Sequence, residues 1–161
     1  MASILGISAF YHDSAAALIK DGNIITAVQE ERFSRKKHDS SFPSNGIKYC
    51  LKSQRIDLKD ISSIIYYEKP LLTFERLLET YIAISPRGSR SFIVAMQIWL
   101  KEKLFLKQEL KKQFKSIQSE LVPGVKPECP QILFSEHHQA HASAAFYPSP
   151  FEEAAILCMD G

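Results

Sequence analysis

His137, His138 and His141 fall within five positions and are three of the chain's five histidines. They follow an apolar, strand-like run, Ile132-Leu133-Phe134, and open an alanine-rich stretch. A helix there puts His137 and His141 four apart on one face. Two imidazoles in that relation can chelate one divalent transition metal, and imidazole suits iron, zinc or nickel. Small neighbours (Ala140, Ala142, Ser143, Ala144, Ala145) leave the face uncrowded, and Ser135 with Glu136 reads as a capped, acid-favoured helix start. A metal centre usually needs a third protein ligand. Glu152 and Glu153 lie beyond Pro148 and Pro150, off helical spacing, so neither supplies it. A histidine pair of this spacing is more often surface decoration or a satisfied core pair, and that reading stands beside the metal one.

Two further stretches carry chemistry-bearing groups. His12-Asp13 follows the first apolar run, where an Asp-oriented histidine can act as acid or base. A turn-capping aspartate beside an incidental histidine fits equally well. Residues 30–38, Glu-Glu-Arg-Phe-Ser-Arg-Lys-Lys-His, cluster cations. Arg32 and Arg35 can hold phosphate or carboxylate bidentately, while Lys36 can neutralise it as a point charge. An exposed charged loop is the ordinary outcome for such a run. The chain has no GxGxxG fingerprint, no GxxxxGK[ST] loop and no GxSxG elbow. Cys50 falls on the apolar side of a predicted helix and reads as core.

The elements that must position these groups alternate strand and helix. Residues 4–8, 15–20 and 23–33 read as three strands in a meander, with Asp21-Gly22 as a hairpin turn. Ser44 can cap a helix over residues 45–54, and residues 61–67 form a fourth strand. A helix is expected over 71–84, broken at Pro86-Arg87-Gly88. A long amphipathic helix over 91–121 then carries Met96, Trp99, Leu106, Leu110, Phe114, Ile117 and Leu121 along one face. A strand at 131–134, the histidine helix at 136–146 and a buried strand at 154–159 complete the pattern. It is an α/β layered domain.

Bulk properties narrow the class. At 161 residues the chain suits one domain with a real core. Its 45% hydrophobic and 24% charged content is ordinary for a soluble globular protein. A net charge of +2 argues for neither nucleic acid nor an anionic membrane. No secretory signal or apolar run of membrane-spanning length occurs, and three scattered cysteines without CxxC point to a reducing compartment. The expected location is cytoplasmic. The chain stops on Asp160-Gly161, a turn signal directly after a strand-like run, which reads as a fragment of a longer protein.

Four stretches in order resemble one family: Leu5-Gly6-Ile7 with His12-Asp13-Ser14-Ala15-Ala16; residues 30–38; Glu136-His137-His138-Gln139-Ala140-His141; and Ser149-Pro150-Phe151 followed by Ala154-Ala155-Ile156-Leu157 and Asp160-Gly161. Together they resemble the N-terminal part of the O-carbamoyltransferases of the nodulation-protein and cephamycin type (NodU/CmcH-like). The resemblance implies a Kae1-like domain with the actin-like ATPase (ribonuclease H-like) fold. Its mixed sheet would begin with the meander and carry a helical insertion at about 70–122. A second subdomain and a YrdC-like C-terminal domain would lie outside residues 1–161.

The implied chemistry uses carbamoyl phosphate and ATP to form carbamoyl-adenylate. The carbamoyl group then passes to a hydroxyl of a small acceptor (a sugar, an antibiotic or another metabolite) at an iron-type metal, with zinc as the other choice. The resemblance makes His137 and His141 metal ligands, completed by a later aspartate, with His138 beside them in the pocket. His12 and Asp13 are the candidates for acid–base work near the acceptor oxygen. Arg32, Arg35, Lys36 and His38 are the candidates for holding phosphate or carbamoyl oxygens. The fragment alone is expected to be inactive, its partners being the rest of its own chain and a second copy of it, with no nucleic acid and no membrane. Competing readings are a tRNA threonylcarbamoyl-transfer protein, a hydrogenase-maturation carbamoyltransferase, or a non-catalytic scaffold associating through helix 91–121.

Overall fold

The computed structural model describes residues 2–84, 96, 105–126 and 128–159. Five strands form one mixed sheet in the order β3-β2-β1-β4-β5. They are β1 Ser3–Ser8, β2 Ala15–Lys20, β3 Asn23–Gln29, β4 Ser63–Tyr66 and β5 Gln131–Phe134. β1, β2 and β3 pair antiparallel, whereas β4 pairs parallel with β1 and β5 parallel with β4. The β2–β3 turn takes positive φ at both Asp21 (48°) and Gly22 (83°), the backbone that a tight two-residue hairpin demands.

Alternation along the strands builds the core. Leu5, Ile7, Ala16, Leu18, Ile64, Tyr66 and Ile132 are all buried. They meet as register partners on one face, Leu5 beside Leu18 and Ile64, and Ile64 beside Ile132. Helix α2, Ser44–Gln54, packs against β2 and β3, burying Ile47, Cys50 and Leu51. Burial pushes the Cys50 thiol up to about 11, which suits a core thiol and not a nucleophile.

The sheet register decides where the chemistry goes. β1, β4 and β5 run the same way and end at Ser8, Tyr66 and Phe134. β2 begins opposite Ser8, and β3 ends opposite the start of β2. Residues 9–14, 30–43 and the segments that follow β4 and β5 therefore all leave from one edge. Open α/β sheets place their ligands beyond such strand ends.

The chain divides into two compact units, residues 1–68 with 130–161 and residues 69–129. The second contains α3, Pro70–Ile84, and α4, Leu106–Leu121. Leu106, Leu110, Phe114 and Ile117 are buried along one face of α4. Most of the expected helix before residue 105 lies outside the described residues, as does the Pro86-Arg87-Gly88 break. Among the described residues no helix is long and apolar enough to cross a membrane.

Several expected boundaries are corrected. The third strand stops at Gln29 and does not reach Phe33, because its β2 partner begins at Ala15. A short helical turn, α1 (Glu31–Ser34), follows, with the Phe33 and Ser34 amides donating to the Glu30 carbonyl. Pro43, and not Ser44, is the residue before the first turn of α2. The fourth strand spans Ser63–Tyr66, within the expected 61–67. The histidine helix, α5, spans His137–Phe146; Glu136 precedes it without a side-chain cap bond, and the Ser135 hydroxyl donates instead to the Glu136 carbonyl. Residues 154–159 form no strand, and Leu157 and Met159 are each 81% exposed. An apolar run becomes a strand only where a neighbour supplies the ladder.

Candidate functional site

Two side-chain clusters form at the shared sheet edge. The first grows from β5. Ser135 leaves the strand with its amide donating to the Tyr66 carbonyl (2.9 Å), and α5 starts two residues later. One helical turn brings the Nε2 atoms of His137 and His141 to 3.2 Å, with ring centroids 4.6 Å apart and planes at 86°. Two nitrogens bound at about 2.0–2.1 Å to one tetrahedral metal would stand about 3.3 Å apart. The separation matches that of two ligands of one metal, and it also matches a hydrogen bond in which one ring N–H donates to the other ring's nitrogen. Among the described residues no group of three His, Cys, Asp or Glu converges to hold a metal. Asp160 lies outside them. His138 is exposed on a different side of the turn, its ring 5.9 Å from that of His137.

Aromatic residues back this pair. Tyr67 approaches the His137 ring at 5.8 Å, and Tyr66 packs edge-on against Phe134. Burial drives the phenols of Tyr66 and Tyr67 above the ordinary range. For Tyr67 the charges of Glu68 and Tyr11 add to that rise. Both tyrosines are accordingly neutral hydrogen-bonding groups at any physiological pH.

The second cluster joins the loop after β1 to the loop after α1. Asp13 Oδ2 lies 3.0 Å from His12 Nδ1, and Asp13 Oδ1 lies 2.9 Å from His38 Nδ1. The backbone draws the loops together: the Phe10 amide donates to the Ser40 carbonyl and the Ser14 amide to the Asp39 carbonyl, each at 2.8 Å. Phe10, Asp13 and His38 all take left-handed φ (69°, 48° and 54°) to make the approach. The His38 hydrogen bond, followed by that of His12, holds the Asp13 carboxyl below its ordinary value against partial burial.

The remaining cations are not gathered around an anion site. Arg32 lies 3.6 Å from Glu31, its neighbour on α1. Arg35 closes α1 in left-handed conformation, its amide donating to the Glu31 carbonyl. Lys36 Nζ reaches Asp39 at 4.0 Å. His38, which the sequence groups with these cations, joins Asp13 and His12 instead.

Buried acids hold this region together, and neither stood out in the sequence. The Glu30 carboxylate receives the Asn45 amide (3.2 Å), the Asn45 side-chain amide (2.7 Å) and the Gly46 amide (2.9 Å) at the start of α2. Its own amide donates to the Ser14 carbonyl at 2.8 Å. The Asp39 carboxylate takes the Ser41 amide and hydroxyl at 3.0 and 2.7 Å. Hydrogen bonds from Ser34 and then Ser41 pull it down to about 2. Within a run of charges, acids that cap and brace look the same as acids that are merely solvated.

Residues 3–161 match the carbamoyltransferase N-terminus family. The chain belongs to that family. An uncharacterised protein of Synechocystis, sll1178, is 63% identical over 161 residues, covering 100% of this chain and 26% of the relative. The nodulation protein NolNO of Sinorhizobium fredii is 36% identical over 152 residues, covering 94% of this chain and 20% of the relative. This carbamoyltransferase N-terminal chain thus spans about a quarter or less of the length of those relatives. Among solved structures, YeaZ from Pseudomonas aeruginosa aligns with a TM-score of 0.33 at 12% identity, over 44% of this chain and 31% of that one. A likeness that slight carries no fold assignment.

Proposed function

We propose that the chain is the N-terminal part of an ATP-dependent O-carbamoyltransferase. It would form an actin-like ATPase (ribonuclease H-like) subdomain with a helical insertion at about 70–122. The complete enzyme would make carbamoyl-adenylate from carbamoyl phosphate and ATP in its YrdC-like part. It would then transfer the carbamoyl group to a hydroxyl of a small acceptor. Family membership supports the reaction class. The observation that carries the site is the 3.2 Å separation of the His137 and His141 Nε2 atoms.

His137 and His141 would hold an iron or zinc ion, which when bound supplies positive charge for oxygens that become negative during transfer. His12 provides the base. Asp13 can only accept, so the neutral His12 ring carries its proton on Nδ1 and offers a bare Nε2. That nitrogen takes the acceptor hydroxyl's proton as the oxygen attacks the carbamoyl carbon. A carbon–oxygen bond to the acceptor forms, the one to the adenylate breaks, and AMP leaves. To hold phosphate oxygens, Arg32 and Lys36 would have to exchange Glu31 and Asp39 for the ligand and converge with Arg35.

The test is transfer of labelled carbamoyl phosphate to a panel of hydroxylated acceptors by the full-length protein, with ATP. His12→Ala should lower kcat by about 10²–10⁴-fold. The His137→Ala, His141→Ala double variant should abolish transfer while leaving carbamoyl-adenylate formation intact. Unchanged transfer in both variants would remove these residues from the reaction.

A further inference from the structure

We propose that His38 is a positioning residue, which pins the Asp13 carboxylate so that it holds His12 with Nδ1 protonated and Nε2 bare. The inference deepens the carbamoyl-transfer reading and rests on it for its kinetic consequences.

His12 and Asp13 are adjacent in sequence, and their side chains are 64% and 35% exposed. A lone hydrogen bond between such exposed neighbours contributes little and leaves the ring free to turn. The structure adds a second arm. Each Asp13 oxygen serves one ring, Oδ2 to His12 and Oδ1 to His38, so rotation of the carboxylate would break both bonds together.

The His38 backbone is itself anchored, while its ring is 64% exposed, as that of His12 is. Its amide donates to Glu31 Oε2 at 3.2 Å, and its left-handed φ of 54° aims the ring across the gap between the loops. Two backbone hydrogen bonds, from Phe10 to Ser40 and from Ser14 to Asp39, bracket that gap. The charged and titratable groups around the bridge are Glu31, Lys36 and Asp39 on the His38 side. Tyr11 lies on the other, its ring 4.6 Å from that of His12. Between them, Asp13 accepts from both histidines. Because Asp13 occupies Nδ1 of His38, an anion-holding role for His38 would have to run through Nε2.

That difference makes the proposal testable with three substitutions in the full-length protein. His38→Asn keeps a donor near the Nδ1 position and suits left-handed backbone. His38→Gly removes the donor without backbone strain. His38→Gln places its donor nearer the Nε2 position. In carbamoyl transfer, His38→Gly should lower kcat on the order of 10-fold with the acceptor KM unchanged. His38→Asn should restore the rate and His38→Gln should not. Rescue by Gln alone, or an effect confined to KM, would overturn the proposal in favour of direct anion contact.

A second readout needs no activity. With ring-¹⁵N-labelled histidine at about pH 8, above the ordinary histidine range, His12 should show the single Nδ1–H tautomer. It should become a mixture of tautomers in His38→Gly. An unchanged His12 tautomer in that variant would overturn the positioning role. If wild type transfers no carbamoyl group to any acceptor, the functional reading fails and the spectra still decide this one.

Discussion

The phenol of Tyr66 donates a 2.7 Å hydrogen bond to the carbonyl of Ala9. It ties the end of β4 to the first residue after β1, at the root of the loop that carries His12 and Asp13. Both partners are buried, Tyr66 at 0% and Ala9 at 1% exposure. Tyr66→Phe keeps the packing and orphans the carbonyl. It should cost about 1–3 kcal/mol in urea unfolding. It should also speed amide hydrogen exchange in residues 10–14 more than in the strands.

If His137 and His141 hold a metal as proposed, removing either leaves the ion a single imidazole. Each alanine variant should lose metal affinity by at least the roughly 10–100-fold typical of losing an outer partner. Metal analysis of purified full-length protein, with competition against a chelator, reads this directly. Wild-type affinity in both single variants would show that the 3.2 Å pair is not a ligand set.

Glu30 offers a contrast between shape and charge. Glu30→Ala strips three N–H donors of a shared acceptor at the start of α2. It should destabilise the protein by about 1–3 kcal/mol. Glu30→Gln keeps one carbonyl acceptor and should lose less. Equal losses in chemical denaturation would mean that side-chain volume and a single carbonyl contribute nothing and that both carboxylate oxygens are required.

Acid should loosen the loop around Asp39. Its carboxyl lies at about 2 in the folded chain against an ordinary 3.8. The stabilisation is therefore complete above the unfolded value and is lost as pH falls from 3.8 towards about 2. The protection of the Ser41 amide relative to a free amide at the same pH should fall across that window in wild type, since it donates to Asp39 Oδ1. Asp39→Asn keeps a carbonyl acceptor that does not titrate there, so its protection should be lower and should not change across the window.

Much of the sheet was written in local pattern. Alternating apolar residues in 4–8 and 15–20 and the Asp21-Gly22 turn each answer to short-range rules, and they formed as such. The spacing of His137 and His141 foretold that the two would share a helix face. What stayed illegible was long-range. Asp13 and His38 are 25 positions apart and meet only because two loops adopt left-handed backbone at non-glycine residues, which composition does not announce. The apolar run at 154–159 misled for the opposite reason: its pattern is locally sound, but pairing is a property of two strands.

The register between β4 and β5, Ile65 beside Leu133 and Tyr66 beside Phe134, sets where the histidine helix begins. The whole 69–129 unit lies between those strands in sequence without entering that pairing. With a side-chain period of two, a slip of this register by one residue would reverse the faces of β5, carrying Ile132 out of the core and turning the start of the helix that bears His137 and His141.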